Sequence, residues 1–266
     1  MGVLEIVWVL RLTGYVVGGG LNAFLFFGCT DSSEWSSQSG QFPIGRVAHA
    51  GGVELLESQA NTRYAVQKSH SQGFRLIELD FMQTSDGVWV CQYYWEDEAP
   101  AYQRFSAMNN ARPYPFCDLE WLVKWRSAKQ DLYLVLDTKQ ENALELAKSV
   151  SAVISNDSDE LRYWIPQAYS LDDVMRLRAQ GFPNIVYTLY KLHDRDVALR
   201  DAQNLHRTTG LAFTVPSGAQ NRRYGRALAE MGFPVFYHTV NNEDVFQLLR
   251  EEGGAVNVYT DLLLPD

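Results

Sequence analysis

Short runs rich in β-branched and aromatic residues alternate with amphipathic stretches along the chain beyond Ile44. We predict strands at 46–50, 75–81, 132–137, 163–168, 184–190, 211–215, 234–240 and 255–260. We predict helices between them, including 61–72, 119–129, 142–155, 171–180 and 242–251. Strands that alternate with helices build parallel sheets from βα units. Eight such strands are the number that closes a (β/α)8 TIM barrel, which is the fold we predict for residues 45–266.

An open, doubly wound sheet is the alternative topology for the same alternation. The chain contains neither of the nucleotide-binding signatures usual in that fold, GxGxxG after a strand and GxxxxGK[ST], so the sequence gives this alternative no support. Gly18, Gly19 and Gly20 form a glycine run, but no predicted strand precedes them. The turn sequence Ser85-Asp86-Gly87 predicts a hairpin after the second strand, with a further short strand at 88–92.

The first 29 residues differ in composition from the rest of the chain. Residues 3–28 contain only two charged side chains, and about twenty apolar residues are enough to span a bilayer core. We interpret 1–29 as a signal sequence or membrane anchor and 30–44 as a polar, Ser-rich linker; a buried N-terminal helix is the alternative. The residues before Cys29 resemble a lipoprotein cleavage site. We therefore expect an extracytoplasmic protein, secreted or membrane-anchored, with 3–28 as the membrane-associating segment.

Charge and cysteine content exclude several classes of protein. The formal net charge is −9 over 266 residues, and an acidic surface repels phosphate backbones, so we expect no nucleic-acid partner. The three cysteines are too few and too scattered for a disulfide framework or a four-cysteine zinc site. We interpret Cys91 and Cys117 as apolar packing residues or unpaired thiols.

Polar side chains stand at the carboxyl ends of the predicted strands, where TIM barrels place their chemistry. They are His49, Glu78, Asp80, Asp137, Lys139, Gln167, Tyr190, His238, Asn241 and Asp261. Glu78 and Asp80 are two residues apart on one strand, so both side chains face the same way. Two carboxylates inside a closed barrel are costly without a cation. With Asp137 from the neighbouring strand, their oxygens suit Mg²⁺ or Ca²⁺.

Two other interpretations of these strand ends remain open. Glu78 and Asp80 could cap local loops or pair with an arginine such as Arg75. His238 could contact a substrate, or it could be a hydrogen-bonded residue of the barrel lining. The chain has no HxxxH or CxxC pattern, which argues against zinc.

A series of short blocks resembles the glycerophosphodiester phosphodiesterase superfamily, which includes phosphatidylinositol-specific phospholipase C-like and sphingomyelinase D-like proteins. The blocks are Ala48-His49-Ala50-Gly51-Gly52, Asn61-Thr62, Gly73 to Phe81, Thr84-Ser85-Asp86-Gly87, Leu136-Asp137-Thr138-Lys139, Gln167-Ala168-Tyr169-Ser170, Tyr187-Thr188-Leu189-Tyr190, His238-Thr239-Val240-Asn241 and Tyr259-Thr260-Asp261. They follow the family order from about residue 46 to 262. The resemblance implies a TIM barrel that cleaves phosphodiesters with the help of one divalent cation.

The resemblance also assigns roles to residues of this chain. His49 matches the first catalytic histidine, and Lys139 matches the lysine that contacts phosphate. Glu78, Asp80 and Asp137 match metal ligands, as in the three-carboxylate site of sphingomyelinase D-like members.

Two positions depart from the family pattern. Ala60 stands where most members have a ligand glutamate, in the sequence Ala60-Asn61-Thr62. Tyr93 and Tyr94 stand where the family has His-Asp, so the second catalytic histidine is absent. A tyrosine with an ordinary pKa near 10 could donate a proton to a leaving alkoxide but would be a poor base.

Two functional hypotheses follow. The first is a metal-dependent phosphodiester hydrolase acting on glycerophosphodiesters or phospholipid headgroups, weakened or rewired because Tyr93 replaces the histidine. Its catalytic residues would be His49 and Tyr93, with Lys139 and His238 binding substrate. The second is a catalytically inactive barrel that binds a headgroup or a protein partner.

Overall fold

Eight parallel strands close into a barrel in the computed structural model, which describes residues 42–52, 54–140, 142–155, 157–205 and 208–265. The strands are β1 (Val47–Ala48), β2 (Leu76–Gln83), β3 (Trp89–Cys91), β4 (Tyr133–Thr138), β5 (Trp164–Ala168), β6 (Ile185–Thr188), β7 (Leu211–Pro216), β8 (Val235–His238) and β9 (Asn257–Thr260). The strand β3 runs antiparallel on β2, outside the barrel. The strand β1 pairs in parallel with both β2 and β9. The predicted TIM barrel and the predicted hairpin are thus confirmed.

Helices follow the barrel strands in the alternating order that the sequence predicts. They are α1 (Arg63–Ser71), α2 (Tyr102–Asn110), α3 (Leu119–Arg126), α4 (Ala143–Val153), α5 (Ser158–Leu161), α6 (Leu171–Ala179), α7 (Asp196–Asn204), α8 (Arg222–Glu230) and α9 (Glu243–Gly253). The side chains of Thr62, Asp118, Ser170 and Asn242 accept hydrogen bonds from the first turns of α1, α3, α6 and α9, which fixes where these helices begin. We did not predict α2, because it buries only Phe105 and Asn109 and so lacks an apolar periodicity.

Side chains alternate between two cores along each strand. One set points into the barrel, where Val47, Leu76, Val135, Ile165, Val186, Ala212, Phe236 and Tyr259 pack together with Phe42. The other set packs between the strands and the helices, in a larger core. Two residues further along their strands, the inward-facing positions become polar, as at Glu78, Asp137, Thr188 and His238. The carboxyl end of the barrel is therefore polar inside, whereas the layer below it is apolar.

The strand β1 is shorter than the predicted run 46–50. It ends at Ala48 because the chain turns through His49–Gly51, where Ala50 and Gly51 have φ angles of 49° and 92°. His49 therefore lies on the first turn after the strand. This turn brings the histidine over the end of the barrel.

Cys91 and Cys117 form a disulfide bond, so our interpretation of them as packing residues or unpaired thiols is wrong. Their Cα atoms lie 5.1 Å apart although 26 positions separate them in sequence. The chain leaves the end of β3, passes through α2 and returns beside it, where the Cys91 N–H donates to the Cys117 carbonyl at 2.8 Å. Sequence spacing alone does not reveal this return.

The predicted signal or anchor segment, 1–29, and most of the predicted linker, 30–44, lie outside the described residues. Both stay predictions. Within the ranges that the structure describes, no helix combines the length and the apolar character needed to cross a bilayer.

Gly225 lies where α8 contacts β8 and the end of α9. A Cβ at this position would lie 2.0 Å from Tyr237 Oη and 2.6 Å from the Gly253 carbonyl oxygen. We expect Gly225→Ala to lower the free energy of unfolding by about 1–3 kcal/mol, even though alanine has about 1 kcal/mol better helix propensity. Chemical denaturation measures the change. Glu230→Ala, exposed on the same helix, should stay within about 0.5 kcal/mol, and an unchanged midpoint for Gly225→Ala would contradict the packing.

Candidate active site

Three buried carboxylates meet at the carboxyl end of the barrel. Glu78 and Asp80 come from β2 and Asp137 from β4, and Asp80 is in register with Asp137. Each of the three residues offers one oxygen, and these oxygens all lie within 4.8 Å of one another. The side chains converge because register partners on parallel strands point to the same side of the sheet. The convergence that the sequence predicts is observed.

Neutral donors hold the two carboxylates of β2. Glu78 Oε2 accepts a hydrogen bond from the Ala50 N–H at 2.7 Å, which the turn after β1 presents. Asn61 Nδ2 donates to Asp80 Oδ2 at 2.7 Å, while Asn61 Oδ1 accepts from the Asp80 N–H at 3.0 Å. Arg75 pairs with Asp131 at 2.5 Å, so it does not neutralise Glu78 or Asp80. The alternative of an arginine pair is therefore not observed.

Two tyrosines that sequence analysis did not select as site residues orient Asp137. The Tyr169 hydroxyl donates to Asp137 Oδ1, and the Tyr190 hydroxyl lies 3.4 and 3.3 Å from Oδ1 and Oδ2. Burial, followed by the charge of Asp137, raises the pKa of both phenols, so they remain neutral donors. Both tyrosines lie just beyond β5 and β6 in blocks that resemble the family, and these features are the signal for them in the sequence.

Lys139 joins the acidic residues of two strands. Its Nζ lies 2.6 Å from Asp80 Oδ1 and 2.5 Å from Asp137 Oδ2. Burial disfavours the charged form, but Asp80 and Asp137 outweigh it and raise the lysine pKa above its usual value. The ammonium group is therefore charged and fixed beside the carboxylates, where a phosphate bound at the cluster would meet it.

His49 forms a hydrogen-bonded dyad with a residue from the other end of the chain. Its Nδ1 lies 2.8 Å from Asp261 Oδ1, and Asp261 Oδ2 accepts from Asn241 Nδ2 at 2.9 Å. Burial lowers the His49 pKa, but the Asp261 hydrogen bond and the charge of Glu78 outweigh it and raise this pKa to about 9. The dyad leaves Nε2 for proton transfer. Asp261 and Asn241 are among the predicted strand-end residues, but the sequence predicts no such function for them.

The charge balance of the cluster fits a divalent cation. Burial, together with the charge of Asp80, raises the Glu78 pKa to about 8, so this carboxyl resists ionisation until positive charge is added. Lys139 supplies one positive charge for the three acidic residues, and the charge of His49 is paired with a fourth carboxylate, Asp261. The oxygen-only donor set is the kind that Mg²⁺ and Ca²⁺ prefer. Glu78, Asp80 and Asp137 are thus the residues that could hold such an ion.

Tyr93 and His238, the remaining predicted site residues, lie in different surroundings. The residue Tyr93 is 58% exposed, and its ring centre lies 4.9 Å from Lys139 Nζ. His238 lies inside the barrel against the rings of Tyr190 and Tyr259, with centroids 5.4 and 6.3 Å away. Burial and the nearby charge of His49 lower the His238 pKa to about 4, which keeps its ring neutral.

Fold and site together define a class: a TIM barrel with a buried carboxylate cluster, a charged lysine and a carboxylate-bound histidine at the carboxyl ends of its strands. Solved structures of glycerophosphodiester phosphodiesterases share this fold. The enzyme from Thermotoga maritima is 14% identical, with a TM-score of 0.62 over 82% of this chain and 94% of that one. The enzyme from Parabacteroides distasonis is 13% identical, with a TM-score of 0.62 over 84% and 86%.

A third solved structure was determined with a product bound. It is a phosphodiesterase from Oleispira antarctica in complex with sn-glycerol-3-phosphate, 15% identical, with a TM-score of 0.61 over 82% of this chain and 93% of that one. The sequence matches no protein-family model and has no significant match among curated proteins. The fold that the sequence motifs imply is thus the fold that these enzymes share with this chain.

Proposed function

We propose that this protein is a metal-dependent phosphodiester hydrolase of the glycerophosphodiester phosphodiesterase superfamily, acting on glycerophosphodiesters or phospholipid headgroups. The single observation that carries the proposal is the meeting of three buried carboxylates with Lys139 and the His49–Asp261 dyad at one barrel end. Solved glycerophosphodiester phosphodiesterases share the fold, which supports the choice of substrate class. A pocket built only to bind a partner would not require this collection of charged groups.

The chemistry divides between charge neutralisation and proton transfer. A cation held by Glu78, Asp80 and Asp137 would supply electrostatic stabilisation of the non-bridging phosphate oxygens. Lys139 adds a fixed positive charge on the same side of the phosphate. His49 moves a proton at Nε2, while Asp261 holds the ring through Nδ1 and stabilises its charged form.

Tyr93 is the candidate for the remaining proton-transfer step. Its ring borders Lys139, and the hydroxyl is the only titratable group that this residue offers at the position of the absent histidine. A neutral phenol can protonate a leaving alkoxide. His238 stays neutral beside Tyr190, and its buried Nε2 has no hydrogen-bond partner among the described residues, so it is the group we propose for a hydrogen bond to the substrate.

Turnover by the purified full chain tests this proposal. Glycerophosphocholine, a lysophospholipid and a phosphoinositide should each be supplied with Mg²⁺ or Ca²⁺ and, separately, with EDTA. We expect hydrolysis of at least one substrate that EDTA abolishes. Saturable binding of a headgroup, measured by calorimetry, without turnover of any of the three would favour the alternative of an inactive binding barrel.

Restoring the His-Asp pair that the family has at positions 93 and 94 should raise activity. The other groups, His49, Lys139 and the carboxylates, are already in place, so we expect Tyr93→His/Tyr94→Asp to increase kcat/KM about tenfold. This is less than the roughly 10²–10⁴ that a general acid–base group contributes, because the neighbouring packing suits two tyrosines. Initial rates under the same conditions measure the gain.

Tyr93→Phe is the matched control for this gain, since it keeps the ring and removes only the hydroxyl. If Tyr93 is the acid, Tyr93→Phe abolishes turnover. A folded double variant that is no faster than the parent would contradict the proposal that the missing histidine limits the rate.

We also propose an extracytoplasmic location for the barrel. The buried Cys91–Cys117 disulfide supports it, because disulfides persist in oxidising compartments. Fractionation of cells that express the tagged full chain tests this location. Recovery of the protein in the cytosol with both thiols reduced would contradict it.

A further inference from the structure

The Cys91–Cys117 disulfide closes a loop that borders the acidic cluster. Cys91 is the last residue of β3, and Cys117 lies two residues before α3. Both half-cystines are fully buried. The loop between them, 92–116, contains Tyr93 and α2. Because β3 lies outside the barrel, this cross-link does not join two barrel strands, and the closure of the barrel does not depend on it.

One half of the cross-link is connected to Asp80 through the backbone. Cys91 is paired with Phe81 across the β2–β3 hairpin, one residue beyond Asp80. The N–H of Gln92, the first residue after β3, donates to the Asp80 carbonyl oxygen at 2.9 Å. The end of β3 therefore holds the backbone of β2 at the residue that supplies a carboxylate.

The other half is connected to the Asp80 side chain through Asn61. The Cys117 N–H donates to the Asn61 carbonyl oxygen at 3.5 Å, and Cys117 Sγ lies 3.7 Å from the same oxygen. Phe116 forms a bridge with Thr62 beside this contact. Asn61 adopts a left-handed φ of 57° and makes both of the side-chain hydrogen bonds that orient Asp80. Its backbone is thus fixed from the side of Cys117.

We infer that the Cys91–Cys117 disulfide is a positioning cross-link for Asp80, and that cation binding by the acidic cluster depends on the oxidised state of these two cysteines. Both connections from the cross-link end on Asp80, one on its backbone and one on its carboxylate. Reduction releases loop 92–116 and restores its chain entropy, so the contacts that fix Asn61 and Gln92 weaken. The inference rests on the proposed function, since it concerns the cation of that site.

A titration with Tb³⁺, followed by its sensitised luminescence, measures cation binding without any turnover. We expect the full chain reduced with TCEP to bind Tb³⁺ at least about tenfold more weakly than the oxidised chain. A loss of this size is typical when a metal-ligating side chain loses the hydrogen-bond partner that orients it. Cys91→Ala/Cys117→Val, which keeps both positions apolar, should bind as weakly and be insensitive to TCEP. Circular dichroism should show the same secondary structure in all three samples.

Asn61→Ala distinguishes positioning of Asp80 through Asn61 from a general loss of rigidity around the acidic cluster. If the cross-link acts through Asn61, adding Asn61→Ala to the cysteine variant should weaken Tb³⁺ binding by less than the product of the two separate effects. Equal Tb³⁺ affinity in oxidised and reduced protein overturns the inference, and so does unfolding of both the reduced chain and the cysteine variant. Redox-dependent Tb³⁺ binding in a protein that hydrolyses no phosphodiester upholds the inference and rejects the proposed function.

Discussion

His49→Ala is expected to lower kcat/KM by about 10²- to 10⁴-fold, the loss typical of a general acid–base group. The structure leaves His49 Nε2 for proton transfer and binds Nδ1 to Asp261, so alanine removes the group without disturbing the barrel strands. Steady-state rates with saturating cation measure the loss. His193→Ala, which removes an exposed histidine beyond β6, is the matched control and should leave the rate unchanged. A His49→Ala protein within threefold of the parent would refute the assignment.

The pH dependence of the rate gives this prediction a second measurement. Burial lowers the His49 pKa, but the Asp261 hydrogen bond and the charges of Glu78 and Asp80 outweigh it and raise this pKa to about 9, so the neutral form that accepts a proton from the attacking water predominates only above that pH. Asp261→Asn removes the carboxylate that stabilises the imidazolium, and we expect the rising limb of the pH–rate profile to move to lower pH. An unmoved limb would show that Asp261 does not control the protonation of His49.

The same pKa shift predicts the direction of a stability change. The native pKa of His49 lies above its ordinary value of 6.5. The hydrogen bond between His49 and Asp261 therefore stabilises the fold fully when the pH is below 6.5. The stabilisation is lost as pH rises through about 9. Unfolding midpoints of the parent and His49→Ala should therefore converge on the alkaline side of this window.

Asp80→Asn is expected to abolish the stabilisation that a divalent cation gives to the parent. A cation at one hundred times its dissociation constant stabilises the native state by about 2.7 kcal/mol. For a domain of this size that is a rise in Tm of roughly 5–10 °C. Thermal melts with and without Mg²⁺ or Ca²⁺ measure the rise in the parent and its loss in the variant. Asp172→Asn, at an exposed carboxylate on α6, should behave like the parent.

The stabilisation by cation should also grow with pH. Burial and the charge of Asp80 raise the Glu78 pKa to about 8, so protons compete with the cation for this carboxyl below that pH. We expect a larger rise in Tm at pH 8 than at pH 5. Equal shifts at the two pH values, or an undiminished shift in Asp80→Asn, would place the cation elsewhere.

The sequence was sufficient to predict the barrel and the acidic cluster because both follow from short-range patterns. Alternating strands and helices define the parallel barrel, and the spacing of Glu78 and Asp80 places two carboxylates on one face. Parallel register then adds Asp137 from the next barrel strand. Each of these predictions depends only on the two-residue alternation of side chains along a strand, or on the order of strands and helices along the chain.

Contacts between distant segments were beyond such patterns. Asp261 meets His49 across 212 positions, and Tyr169 reaches Asp137 across 32, so no local spacing signals either pair. The disulfide depends on the path of a loop whose helix, α2, has no apolar stripe. Tertiary packing, rather than any local propensity, determines these parts of the site.

The meeting of β1 with β9 has a consequence for the order in which the protein can mature. His49 follows the first barrel strand, while its partner Asp261 follows the last one. A ribosome that has synthesised every residue through β8 has made all three carboxylates and both cysteines, yet the histidine still lacks its carboxylate. Proton transfer is therefore expected to be the last property the nascent chain acquires. A chain that terminates before β9 would have neither a closed barrel nor an oriented His49.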